Sequence, residues 1–263
     1  MKQSEQPPAS ASCGIAVMAK ASAPGRTKTR LVPPLTPGEA AELNTAFLKD
    51  VAHNIAAAAE LIPIAGYMAY GPPGSNAFFE SVLPASIGLL ESWYPDFGDC
   101  LLSAISQILD RGHVSAVVLN SDSPTLPTAL LAETAEVLAR PGDRAVLGPS
   151  TDGGYYLLGL KAPHRRLFED VAWSTEHVAR QTLERAVEIG LDVYVLPAWY
   201  DVDDAEALRM LRAELYEGWS FAPRMRAHRA LHSERLIRAL LTGSDLARRL
   251  GGGAGPPVAS AAE

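Results

Sequence analysis

Short apolar runs alternate with longer amphipathic helical patterns along most of the chain, and this alternation narrows the fold more than any other feature. Runs at 14–19, 63–70, 87–90, 114–120, 144–147, 155–160 and 192–196 read as strands. Helical patterns fill most of the intervals. The first opens at Thr36, which can cap, with Pro37 at the first helical position and Leu43, Phe47 and Val51 on one face. Others span 99–111, 127–140, 176–189 and 204–216. Strands separated by helices of this length predict an α/β fold, with a mostly parallel sheet covered on both faces. The 263 residues, 48% of them hydrophobic, suffice for a full core, and one domain is expected over 13–217.

Charge and cysteine usage exclude several classes. A net charge of −7 argues against broad adhesion to nucleic acid or to an anionic membrane, so any basic site must be local. Cys13 and Cys100 show neither metal spacing nor a disulfide framework, and a reduced, cytoplasmic chain is the simplest account. The first twelve residues hold one lysine and no apolar stretch, which reads as a disordered tail over 1–12 rather than a signal or an anchor. Residues 218–250 differ in character: Arg224, Arg226, Arg229, Arg235, Arg238, Arg248 and Arg249 face only Glu234 and Asp245 among acids between 219 and 250. This predicts a basic helical extension, packed on its Leu231 and Leu240 side or serving an acidic partner or a second subunit in a homodimer. His228 and His232 are one helical turn apart, but no third ligand stands near them, which argues against zinc. The Gly-, Pro- and Ala-rich end, 251–263, is expected to be disordered.

In an open α/β sheet ligands gather at the carboxyl ends of strands, and three such loops carry unusual residues. The first, "APGRTKTRL", sets Arg26, Lys28 and Arg30 two apart, a spacing that in extended chain points all three the same way. Gly25 lets backbone approach a ligand, and guanidinium and ammonium groups suit a diphosphate or triphosphate. The second, "NSDSPTLP", puts Asp122 at a strand's end before a turn enforced by Pro124 and Pro127. Asp122 can serve a hard divalent cation together with a second carboxylate and phosphate oxygens, or bond its own turn. The third loop holds Asp201 and Asp203. Asp203 with Glu206 three residues on forms a capping box, so Asp201 is the better second metal ligand. Between them, Asp152 before Gly153 and Gly154 suits a hairpin turn, or a backbone surface for a sugar or nucleotide with Asp152 as base.

The glycine framework of a P-loop is missing around Lys28, and no dinucleotide fingerprint follows the first strand. No nucleophile elbow is present either.

The run "VMAKASAPGRTKTRL", the "NSDSPTLP" turn, "LGPSTDGGYYLLGL", "WST" at Trp173 to Thr175 and "DVDDAEAL", in that order, resemble the DUF2064 group of GT-A-fold, glycosyltransferase-like proteins. The resemblance spans roughly residues 14–215. It implies a nucleotide-diphospho-sugar transferase fold, with the first loop, Ala19, Lys20 and Ser121 around nucleotide phosphates. Asp122 would hold Mg²⁺ or Mn²⁺ with Asp201 and Asp203 on the opposite side, and Asp152, Gly153, Gly154, Tyr155, Trp173 and Ser174 would face a sugar or acceptor. Relatives usually carry cysteine and aspartate where this chain has Ser123 and Thr125, and a more charged segment than "GDCLLSAI". The expected function is metal-dependent glycosyl transfer from a nucleotide sugar to a small-molecule acceptor, with Lys28 and Asp152 as catalytic groups. Glycosyl transfer is favoured because the Pro-Lys pair usual in nucleotidyltransferases of this fold does not follow the first loop. The alternatives are nucleotidyl transfer from a nucleoside triphosphate with release of pyrophosphate, and a non-catalytic nucleotide-binding module.

Overall fold

The computed structural model describes residues 12–251. Seven strands form one sheet: β1 (Cys13–Lys20), β2 (Ile64–Gly71), β3 (Gly88–Glu91), β4 (Ser115–Leu119), β5 (Ala145–Pro149), β6 (Tyr155–Leu160) and β7 (Val193–Val195), in the order β3-β2-β1-β4-β6-β5-β7. All neighbours pair in parallel except β6, which runs antiparallel to both β4 and β5. The turn at 150–154 returns the chain directly from β5 into β6, as "DGG" predicted, and Gly153 supplies the required positive φ of 89°.

Eight α-helices accompany the sheet among the described residues: α1 (Pro37–Ala59), α2 (Asn76–Val82), α3 (Phe97–Asp110), α4 (Thr128–Ala139), α5 (Val178–Glu188), α6 (Ala205–Tyr216), α7 (Leu231–Gly243) and α8 (Leu246–Arg249). α1 begins as its sequence dictates: Thr36 accepts from the Glu39 amide, the Glu39 carboxylate accepts from the Thr36 amide, and Pro37 stands at the first position. Alternation along β1 sorts the layers. Ile15 and Val17 face a core with Phe47 of α1 and Leu131 of α4, while Ala16 faces a second core with Ile105 of α3 and Ala186 of α5. The sheet is thus covered on both faces.

The segment after α6 departs from the picture of a basic extension. Residues 219–230 are irregular, α7 begins at Leu231, and Ile237, Leu246 and Leu250 are each 1% exposed within the same core as Val17 and Phe47. Asp50 of α1, wholly buried, accepts from the amides of His232 and Ser233 and from the Ser233 hydroxyl. Arg249 grips Glu39 with two nitrogens at 2.8 and 2.7 Å. Several of the arginines answer acids at hand: Arg229 and Arg238 pair with Glu234, and Arg248 with Asp245. His228 and His232 do not face one another as ligands. The His228 Nδ1 bonds Thr128 Oγ1, its ring meets that of His53 edge-on, and His232 meets Asp50 through its backbone. Both cysteines are free and buried. The expected tails lie outside the described residues but for their inner ends: Ser12 is buried and bonds His113 Nδ1 at 2.8 Å, and Gly251 is exposed.

Candidate active site

Strand order reverses between β1 and β4, since β2 and β3 extend one way from β1 and the remaining strands extend the other. Such a switch point opens a crevice at the strands' carboxyl ends. Here the loop after β1 supplies Lys28 and the loop after β4 supplies Asp122. Asp203 comes from the loop leading into α6, which is pinned to the second loop by the Val202 amide donating to the Asp122 carbonyl at 2.8 Å.

At the meeting point stands the Lys28 ammonium. It lies 2.8 Å from Asp122 Oδ1 and 2.9 Å from Asp203 Oδ1, and it donates to the Val202 carbonyl at 2.9 Å. Its side chain is 4% exposed, against 28% for Asp122 and 39% for Asp203. Burial acts to depress the Lys28 pKa, but the two carboxylates outweigh it and raise the value above that of ordinary lysine. Burial acts to raise the pKa of Asp122, and Lys28 together with the Ser121 hydroxyl, 2.6 Å away, brings it below the usual range. Burial and the neighbouring Asp122 raise that of Asp203. Lys28 has a left-handed backbone, φ 51°, an arrangement that costs on the order of 1 kcal/mol outside glycine and is offset by these ion pairs.

Three expectations are revised here. The cations do not line up as in extended chain. The loop folds on itself through Thr27, whose hydroxyl donates to the Ala23 carbonyl, so Lys28 turns inward while Arg26 and Arg30 stay exposed, without an ion-pair partner among the described residues. Nor is Asp203 a helix cap. Asp204 caps α6 by accepting from the Ala207 amide, one residue later than the capping box suggested, and this frees Asp203 for Lys28. Asp201, expected to be unencumbered, has Oδ1 held by Asn120 Nδ2 at 2.7 Å and by the Ser123 hydroxyl at 2.6 Å. Burial pushes its pKa up to about 6. Ser123 thereby holds Asp201 to the second loop.

These groups line one cleft of about 690 Å³. Ala19, Lys20, Arg26, Lys28, Arg30, Ser121, Asp122, Asp152, Gly154, Tyr155, Trp173, Ser174, Asp201 and Asp203 all border it, whereas Gly25 and Gly153 act behind it as turn residues with positive φ. At the hairpin tip, Asp152 Oδ1 accepts from the Gly154 amide at 2.9 Å. Among the described residues, no group of three or more His, Cys, Asp or Glu is arranged to hold a metal unaided.

Trp93 and Phe97 were not anticipated. Both border the cleft, 44% and 48% exposed, and Phe97 meets Trp173 edge-on at 5.5 Å. The signal was present in "SWYPDF", a cluster of aromatics directly after a strand's carboxyl end. Two buried polar atoms of cleft residues, Asn120 Oδ1 and the Tyr155 hydroxyl, have no partner among the described residues.

Residues 54–175 match the family model described as "Uncharacterized protein conserved in bacteria (DUF2064)". A search of curated proteins gives no match. Among solved structures, a protein from Desulfovibrio desulfuricans G20, provisionally named a nucleotide-diphospho-sugar transferase, is 26% identical with a TM-score of 0.75, covering 90% of this chain and 97% of that one. A CMP:2-keto-3-deoxy-manno-octonic acid synthetase complexed with CTP is 12% identical with a TM-score of 0.51, covering 79% of this chain and 100% of its own. A cytidylyltransferase from Leptospira borgpetersenii serovar Hardjo-bovis (strain JB197) is 10% identical with a TM-score of 0.52, covering 92% and 98%. At these identities the last two speak to the fold alone. The DUF2064 resemblance read from the motifs is therefore shown over residues 54–175, on a chain with the fold of a nucleotide-diphospho-sugar transferase.

Proposed function

We propose that the chain is a transferase that binds a nucleotide by its phosphates in this cleft and passes a glycosyl group from a nucleotide sugar to a small-molecule acceptor. The observation that carries the reading is the convergence of Lys28, Asp122 and Asp203 from three loops at the switch point, with Arg26 and Arg30 exposed on the same cleft. The glycosyl reading is favoured over nucleotidyl transfer by the relative at 26% identity, provisionally named a nucleotide-diphospho-sugar transferase.

The residues fit a divalent cation of the hard class. Asp122 and Asp203 already share one cation, and Mg²⁺ or Mn²⁺ binds through one or two carboxylates completed by substrate phosphates and water. When bound, such an ion would neutralise charge developing on the departing diphosphate. Asp122 and Asp203 would hold it, and Asp201, engaged by Asn120 and Ser123, would brace the second loop. Arg26 and Arg30 offer forked donors to phosphate oxygens. Asn120 Oδ1, lacking a partner, suits a hydroxyl-bearing ligand group rather than phosphate, since an amide oxygen can only accept. Asp152, at the hairpin tip, is available to take the acceptor's proton.

Thermal shift with Mg²⁺ or Mn²⁺ tests the reading, because a ligand bound only by the native state raises its melting temperature. Stabilisation by nucleotide sugars, with nucleoside diphosphate released on addition of acceptor, is expected. Asp122→Asn should retain the fold and lose at least a hundredfold in turnover. Incorporation of the α-phosphate of a nucleoside triphosphate into product, with pyrophosphate released, would establish the nucleotidyl alternative. No stabilisation by any nucleotide would end both.

A further inference from the structure

We propose that Lys28 is a resident cation that keeps Asp122 and Asp203 closed to free divalent ions, and that it is exchanged for one only when a nucleotide's phosphate accepts its ammonium. The inference rests on the phosphate and metal reading above and adds an order to it. An ammonium has three donors and no acceptor. Two are given to Asp203 Oδ1 and the Val202 carbonyl and the ammonium is ion-paired with Asp122 Oδ1 at 2.8 Å, so Lys28 in this arrangement is already engaged on three sides before a phosphate arrives. Both carboxylates, for their part, turn an oxygen to the same nitrogen, and they are the groups that would hold a divalent ion. At 4% exposure the ammonium is shielded from water, which leaves its attraction to the carboxylates little screened.

An incoming divalent ion must therefore displace the buried lysine from its two carboxylates and leave it uncompensated. A nucleotide removes that penalty by offering the ammonium phosphate oxygens. Arg26 and Arg30 stand exposed on the same cleft to take the remaining phosphate charge. Lysine suits the exchange because its four-carbon stem lets a compact charge swing between partners. Metal and nucleotide then bind with positive coupling, and the coupling acts in both directions.

The test uses the full chain and Mn²⁺ alone, followed by electron paramagnetic resonance of the free ion, with a nucleoside diphosphate added in a second titration. Wild type is expected to bind Mn²⁺ weakly alone and at least tenfold more tightly with nucleotide. Lys28→Met, which keeps much of the stem and drops the charge, should bind Mn²⁺ alone at least tenfold more tightly than wild type. That gain should vanish in Lys28→Met with Asp203→Asn. Equal Mn²⁺ affinity in wild type and Lys28→Met, or a gain that survives the second substitution, overturns the proposal. Should Lys28→Met fail to fold by circular dichroism, wild type decides: Mn²⁺ bound as tightly without nucleotide as with it overturns the gate. A wild type that binds no nucleotide would count against the proposed function, while the metal-only comparison still reads the gate.

Discussion

Gly71 shows how one missing atom shapes the cleft. A Cβ built there would stand 1.9 Å from Cε3 of Trp93, so the indole lies where only glycine leaves room, with Lys20 Nζ 5.6 Å from its centre. Gly71→Ala must push the ring aside, at roughly 1–3 kcal/mol for an overpacked site. The expected result is a melting temperature lower by several degrees and a changed near-ultraviolet spectrum; an unchanged spectrum would refute the seat. His228 carries a second residue-scale prediction. Burial, aided by His53, lowers its pKa from 6.5 to about 4. Below pH 6.5 the unfolded chain takes up the proton first, so stability is full above that value and falls as the pH drops towards 4. The facing groups are His53 and the Thr128 hydroxyl, neither of them an acid that could compensate the imidazolium. A loss of roughly 1–3 kcal/mol is expected between pH 7 and 4.5 by urea denaturation, allowing for partial solvent access, and His228→Gln should lose less over the same range. Equal losses would assign the pH dependence to other groups.

Among the elements, the α1–α7 joint is the most exposed to a single change. Asp50→Ala strips partners from two amides and a hydroxyl at the start of α7, a loss of roughly 2–4 kcal/mol. Urea denaturation should show it, and a loss below about 0.5 kcal/mol would mean that water replaces the carboxylate without penalty. Nothing local to α7 foretells this joint, because Asp50 lies 182 residues before His232. Other elements were legible. The strands fall within one or two residues of their apolar runs, since β-branched and alternating segments bounded by turns have few other uses. The direction of β6 was less so: side-chain alternation is the same for parallel and antiparallel neighbours, and only "DGG" hinted at a hairpin. The seven-residue α2 has no side-chain cap to announce it. At the site, Arg26, Lys28 and Asp122 stood out by their chemistry, whereas Asp203 read as a helix cap and entered the metal set only through the family resemblance. The bond of Lys28 to both carboxylates was not legible, because Asp122 lies 94 residues and Asp203 175 residues further along the chain, and only the fold brings them together.

For the whole molecule, the basic segment after α6 poses the sharpest question, because its composition and its packing point in different directions. Counted by charge it is an arginine-rich appendage that a partner could recruit and a nucleotide site could do without. Packed as observed, it closes the α1 side of the sheet: Ile237, Leu246 and Leu250 lie in one core with Phe47, and Arg249 ties the last turn to Glu39 at the start of α1. Each of those three apolar side chains contributes about 1.5–3 kcal/mol by burial, so together they approach the net stability of an ordinary domain. Truncation after residue 218 should therefore leave α1 uncovered, and the shortened chain should aggregate or lose its cooperative melting transition. Replacing Arg224, Arg226 and Arg235 by Gln should instead leave melting within a degree or two, because they form no ion pair among the described residues. A truncated chain that melts cooperatively and binds nucleotide as the full chain does would make the segment a separable module, and would return the arginines to a partner.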